Sequence, residues 1–145
     1  NSQGFVVGSA YNANIASHAI LNTGSPSSGR RTFDLGTLGG SESAATAVNV
    51  YGHVTGSSLV AGNSQRHAFL YTGQPGTGGE MIDLGTLGGN RSLGYDINSL
   101  GQVVGESITS NSSVTHAFLY TPNASGDGQM IDLGSLGPYN SRAMS

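Results

Sequence analysis

His67-Ala68-Phe69-Leu70-Tyr71-Thr72 settles the fold class, because it is apolar at four consecutive positions and too short for a buried helix. Side chains alternate along a strand, so Phe69 and Tyr71 fall on one face and Ala68 and Leu70 on the other. Both faces demand burial, as in a sheet held between two neighbours; a lone antiparallel sheet would leave one face wet. The hexapeptide recurs as His116-Ala117-Phe118-Leu119-Tyr120-Thr121 and, more loosely, as His18-Ala19-Ile20-Leu21-Asn22-Thr23. Beyond each copy a Gly/Ser/Pro-rich loop leads to "FDLGTLGG" at Phe33, "IDLGTLGG" at Ile82 and "IDLGSLGP" at Ile131, then to a segment around Ser43, Ser92 and Ser141. Ahead of each copy stand Asn1-Ser2-Gln3-Gly4, Asn49-Val50-Tyr51-Gly52 and Asn98-Ser99-Leu100-Gly101, followed by a short apolar run. The chain is one domain of three tandem units, 1-48, 49-97 and 98-145.

Each unit offers four short strands separated by Gly, Asn, Ser and Pro clusters, with no room for a crossover helix. An all-β fold of three four-stranded antiparallel units follows, and four strands in so few residues suit the blades of a β-propeller. An open β-solenoid or fibre-forming array is the alternative. Gly8, Gly56 and Gly105 recur at the end of the first strand of each unit, where blades converging on an axis would leave little space for side chains.

Composition agrees. Of 145 residues, 24 are glycine, 36% are hydrophobic and none is tryptophan, which disfavours large helical cores. The five basic residues are Arg30, Arg31, Arg66, Arg91 and Arg142 against eight carboxylates, so no basic stripe exists for nucleic acid. Without cysteine there are no disulfides, thiolate metal sites or thiol nucleophiles. No apolar run is long enough to insert into a membrane. The start at Asn1, without methionine or signal pattern, suggests a processed or excised piece of a longer protein.

The units resemble the HAF repeat of extracellular bacterial proteins, named for a His-Ala-Phe motif. The marks are His67-Ala68-Phe69, His116-Ala117-Phe118, the "DLGTLGG" at Asp34 and Asp83, Ile97-Asn98, and Gly101 to Gly105. Ile20 and Pro138 depart from the pattern, as drift or as edge effects. The resemblance implies secretion or surface display and a propeller-like fold, and it brings no catalytic activity.

Histidine precedes aspartate by the same interval in every unit: His18 with Asp34, His67 with Asp83, His116 with Asp132. Such a pair suits acid-base catalysis with a carboxylate orienting an imidazole. It equally suits a hydrogen bond between neighbouring strands, with both side chains on one face. Repetition decides for structure, because a catalytic site is built once per domain whereas a stabilising bond must be supplied in every unit. Three imidazoles also suit zinc, but histidines opening a strand outside the innermost one lie too far apart. Asp127 with nearby carbonyls lacks the carboxylate ladder of a calcium loop. We therefore expect no metal and no cofactor.

The glycines of the aspartate segment, Gly36 and Gly39, Gly85 and Gly88, Gly134 and Gly137, lack the GK[ST] ending of a phosphate loop and read as turns or bulges. The aspartate ahead of them is expected to accept hydrogen bonds from local backbone. Asn90, Asn111 and Asn123 open glycosylation sequons in segments that read as loops. Tyr11, Tyr95 and Tyr139 are the first residues to inspect for glycan stacking.

These features predict a non-enzymatic extracellular scaffold or binding module for a protein, a cell surface or a glycan. Self-assembly into a ring or filament through terminal strands is the second expectation, since three blades do not close a propeller and call for another copy or further repeats. A polysaccharide-active enzyme using a groove between blades is the third.

Overall fold

The computed structural model describes residues 1–24, 29–75, 77–110, 113–123, 128–137 and 139–144. The protein is all-β, and no helix is long and apolar enough to cross a membrane among the described residues. Among the described residues eleven strands follow in order: β1 (Val6–Tyr11), β2 (Ser17–Thr23), β3 (Arg31–Asp34), β4 (Gly39–Val48), β5 (Val54–Val60), β6 (Arg66–Thr72), β7 (Glu80–Asp83), β8 (Gly88–Ile97), β9 (Val103–Thr109), β10 (Thr115–Pro122) and β11 (Gly128–Gly134). They form a three-stranded sheet, β1-β2-β3, and an eight-stranded sheet, and neither closes into a barrel. The larger sheet consists of two antiparallel meanders, β4-β5-β6-β7 and β8-β9-β10-β11, joined by one parallel pairing, Arg66 with Arg91.

The sheets are therefore cut at a different place from the sequence units. The fourth strand of a unit pairs with the first strand of the next, β4 with β5 and β8 with β9, instead of closing its own unit. The cause is the asparagine turn. Asn49 Oδ1 accepts the N–H groups of Tyr51 and His53, both at 3.0 Å, and Gly52 N–H closes onto the Asn49 carbonyl at 3.2 Å. An asparagine at the first turn position and a glycine with φ +85° at the fourth make a tight hairpin across the seam. Asn1 and Asn98 make the same turn. In the third unit the fourth segment forms no strand among the described residues; residues 139–144 run beside the third meander as irregular chain.

The three meanders stack face to face around two cores. Ala19, Leu21 and Leu35 of the first meet Val54, Phe69 and Tyr71 of the second. Ala68, Leu70 and Leu84 from the opposite side of the second meet Val103, Phe118 and Tyr120 of the third. The alternation in β6 thus feeds both cores, and burying each such aromatic or leucine contributes about 1.5–3 kcal/mol.

Gly8, Gly56 and Gly105 correct the reading of their place. They lie inside β1, β5 and β9, not at a strand end, and the constraint on the latter two is a neighbouring strand, not a common axis. β4 bulges between Ala45 and Ala47, and β8 between Gly94 and Asp96. The bulge drives the carbonyl oxygens of Ala44 and Leu93 onto the sites that a Cβ at Gly56 or Gly105 would occupy.

Candidate functional site

The histidines stand second in β2, β6 and β10, and the aspartates stand at or near the end of the strand that follows each, β3, β7 and β11. The register pairs Ile20 with Asp34, Phe69 with Asp83 and Phe118 with Asp132, so each histidine sits diagonally from its aspartate on one face. In all three, imidazole Nδ1–H donates to the carboxylate, at 2.9 Å in the first unit, 2.8 Å in the second and 2.9 Å in the third. The same carboxylates accept the N–H of Gly36, Gly85 and Gly134 at 2.7–2.8 Å. Those glycines have φ of +76°, +69° and +69°, a left-handed conformation that aims the N–H back at the aspartate. Gly39 and Gly88 carry the same loop onward, with Thr37 and Thr86 hydroxyls accepting their N–H groups.

The far ring nitrogen is also engaged. Asn12 Nδ2 donates to His18 Nε2 at 3.2 Å, and the amide oxygen of Gln65, Oε1, lies 3.1 Å from His67 Nε2. In both, a side-chain amide occupies the place where a hydrolytic triad would hold its nucleophile. Burial opposes ionisation of Asp132, but the hydrogen bonds from His116 and from Gly134 N–H, with the charge of His116, outweigh it and hold its pKa below the usual carboxylate range.

Two further repeated devices were marked in the sequence only by recurrence. Ser43, Ser92 and Ser141 each accept the N–H of the alanine that follows the repeat histidine, Ala19, Ala68 and Ala117, at 2.8 Å. Each also donates to a loop carbonyl, Gly36, Gly85 or Gly134, at 2.5 Å. This serine fastens β4, β8 and the segment at Ser141 to the meander that precedes each. The asparagines form a ladder between meanders, Asn1 Nδ2 donating to Asn49 O at 2.6 Å and Asn49 Nδ2 to Asn98 O at 3.0 Å. The signal that could have assigned these roles is a small polar residue held at one fixed interval, the serine inside a strand-like segment and the asparagine ahead of a turn glycine, since buried polar groups are paired.

Among the described residues no three His, Asp or Glu side chains gather in a way that would hold a metal ion. Glu106 is instead a buried carboxylate in a cluster of its own. Arg91 Nη2 lies 3.5 Å and Arg142 Nε 3.9 Å from it, and Tyr95 hydrogen-bonds to it. Burial, then the charge and hydrogen bond of Glu106, raise the Tyr95 phenol above its ordinary value. Tyr95 is thus half-buried beside Glu106, whereas Tyr11 and Tyr139 are exposed on separate parts of the chain.

Asn90 lies in β8 and not in a loop, and the Ser92 hydroxyl of its sequon is buried in the bonds just described. Asn123 is exposed after β10, while Asn111, Asp127 and Pro138 lie outside the described residues.

Among the described residues, two of the grooves that open on the surface border the first meander. One, of about 230 Å³, lies where the first and second meanders meet and is lined by Phe5, Leu21, Phe33, Tyr51 and Pro75. The other, of about 220 Å³, lies on the outer face of the first meander and holds Tyr11, Asn12, His18, Ile20 and Asp34. No family model matches the chain, and neither a curated protein nor a solved structure is significantly similar to it.

Proposed function

We propose that this chain is a non-enzymatic extracellular repeat module that acts as a scaffold and binds a protein, a cell surface or a glycan. Its three meanders are read as propeller blades, completed by another copy or by further repeats; an open solenoid or fibre is the alternative. The observation that carries the non-enzymatic reading is the threefold identity of the histidine and aspartate pair, each carboxylate held by a loop glycine. A bond repeated in every meander with its second nitrogen on an amide in two of them belongs to the fold. The HAF resemblance supports the extracellular setting. The groove between Phe5, Phe33 and Tyr51 is the surface best suited to an apolar or sugar ring, because aromatic faces supply area at low entropic cost.

Thermal unfolding of His67→Gln, compared with His18→Gln and His116→Gln, tests the reading. Each variant is expected to lose about 1 kcal/mol, a charge-assisted bond discounted for solvent screening. The triple variant is expected to lose cooperative unfolding. A triple variant that folds normally but no longer cleaves a polysaccharide that the parent cleaves overturns the proposal in favour of an enzyme working in the groove beside His18.

A further inference from the structure

We propose that two copies of this chain join head to tail by strand addition, residues 141–144 of one pairing antiparallel with the open edge of β1 in the other. The proposal deepens the repeat-module reading and rests on its repeat architecture. Two junctions inside the chain are the template. β4 meets β5 through Ser43 with Ser58, Ala44 with Ser57 and Ala45 with Gly56; β8 meets β9 through Ser92 with Ser107, Leu93 with Glu106 and Gly94 with Gly105.

The acceptor edge keeps the residues of such a junction without the junction. Gly56 and Gly105 are obligatory because the bulged neighbouring strand occupies the space of a Cβ, yet at Gly8 a Cβ would meet nothing within 4 Å. Gly8 does not have a positive φ either, so nothing in one copy calls for a glycine, which only weakens a strand interior. Val6 tells the same story: it is 52% exposed, while its counterparts Val54 and Val103 are 0% exposed. Among the described residues β1 pairs with β2 alone.

The donor is already laid in position. Ser141 makes both bonds of Ser43 and Ser92, Ser141 N–H donates to Thr115 O at 2.8 Å, and Ala143 N–H donates to Gly105 O at 3.2 Å. Arg142 reaches Glu106, adding a charged anchor. The edge that β4 and β8 present to the next first strand carries no strand here among the described residues. Beside it Leu133 and Leu136 are exposed, whereas Leu35 and Leu84, the counterparts of Leu133, are buried.

Superposing the repeats gives the register: Ser141 against Ala10, Arg142 against Ser9, Ala143 against Gly8. The asparagine ladder continues in the same direction, from Asn98 Nδ2, which within one copy turns to Gln102 at 2.7 Å, to the Asn1 carbonyl of the other copy. One bond is missing. Ser58 and Ser107 accept the N–H of Leu38 and Leu87 at 2.8 Å, but their counterpart is Ala10, so Leu136 N–H would find a methyl group. The junction between copies is therefore weaker than those within a copy, and its occupancy depends on concentration.

Sedimentation of the whole chain across a concentration series tests this, with Gly8→Val as the blocking variant. The parent is expected to shift with concentration from one copy to two, or to longer multiples if the ends do not close on each other. Gly8→Val is expected to stay single with an unchanged unfolding midpoint, since the added side chain meets open space in one copy. Mixing Ser9→Cys with Arg142→Cys is expected to yield a disulfide-linked pair, and Ser9→Cys with Glu42→Cys to yield none, in a chain that has no other cysteine. A parent that stays single at every concentration, assembly of Gly8→Val equal to the parent, or equal cross-linking of both mixtures overturns the proposal. Those failures would leave the scaffold reading standing, because the histidine variants test it in one copy.

Discussion

β6 and β2 hold the same place in successive units, but β6 is buried on both faces while β2 buries only the face of Ala19 and Leu21. The sequence has followed that difference. Where β6 turns Phe69 and Tyr71 toward the first meander, β2 turns Ile20 and Asn22 toward the outside. Departure from the repeat is thus written where a packing neighbour is absent, and identity is kept where one is present. The largest test of this contrast is truncation of the two side chains. Phe69→Ala is expected to cost about 3–5 kcal/mol, as a fully buried aromatic leaves a cavity. Ile20→Ala is expected to cost about 1 kcal/mol, since its partly exposed methylenes lose only part of their transfer energy. Urea unfolding midpoints measure both, and equal losses would break the comparison.

A smaller effect sharpens it at the other end of the stack. Ser92 and Ser141 make matching bonds, but Ser92 is wholly buried between two meanders while Ser141 is half-exposed. Ser92→Ala leaves the Ala68 N–H and the Gly85 carbonyl without their partner in a dry interior, at about 1–3 kcal/mol. Ser141→Ala is expected to cost less than about 1 kcal/mol, because water can reach the groups it abandons. The same unfolding titration reads both. A loss at Ser141 equal to that at Ser92 would mean that residues 139–144 are covered in solution, which strand addition between copies would also bring about.

Much of this was legible before any coordinates. The doubly apolar "HAFLYT" run announced a strand between two layers, and the recurrence of His and Asp at one interval announced a bond between adjacent strands. The position at which one sheet ends and the next begins was not read, because a periodic sequence has no phase: any window one repeat long describes it equally well. The phase was nevertheless encoded in Asn49 and Gly52, whose spacing is that of a tight turn joining β4 to β5. Ser43 and Ser92 were seen as recurring residues without a role, since a hydroxyl's partners lie far along the chain. The bulges of β4 and β8 were invisible for the same reason, and with them the true constraint on Gly56 and Gly105.

The smallest expected effect separates the two internal junctions by pH. At the first, Gly52 lies against the Phe5 ring; at the second, Gly101 approaches His53, which holds the position of Phe5 one unit later. Burial lowers the His53 pKa from its ordinary 6.5, so the unfolded chain takes up a proton before the folded one does. Stability is therefore full above pH 6.5, falls as the pH drops from there to the depressed folded value, and is level below it. Asp132 acts in a lower window: its folded pKa is depressed, so its contribution is present above the ordinary carboxylate value and disappears as the pH falls through the folded one. Thermal midpoints recorded from pH 8 to pH 3, at roughly half-unit steps, are expected to fall in two stages. His53→Gln, which copies Gln102 at the equivalent place in the third unit, is expected to remove the upper stage and keep the lower. An upper stage that survives this substitution would show that the second junction owes its acid sensitivity to some other group.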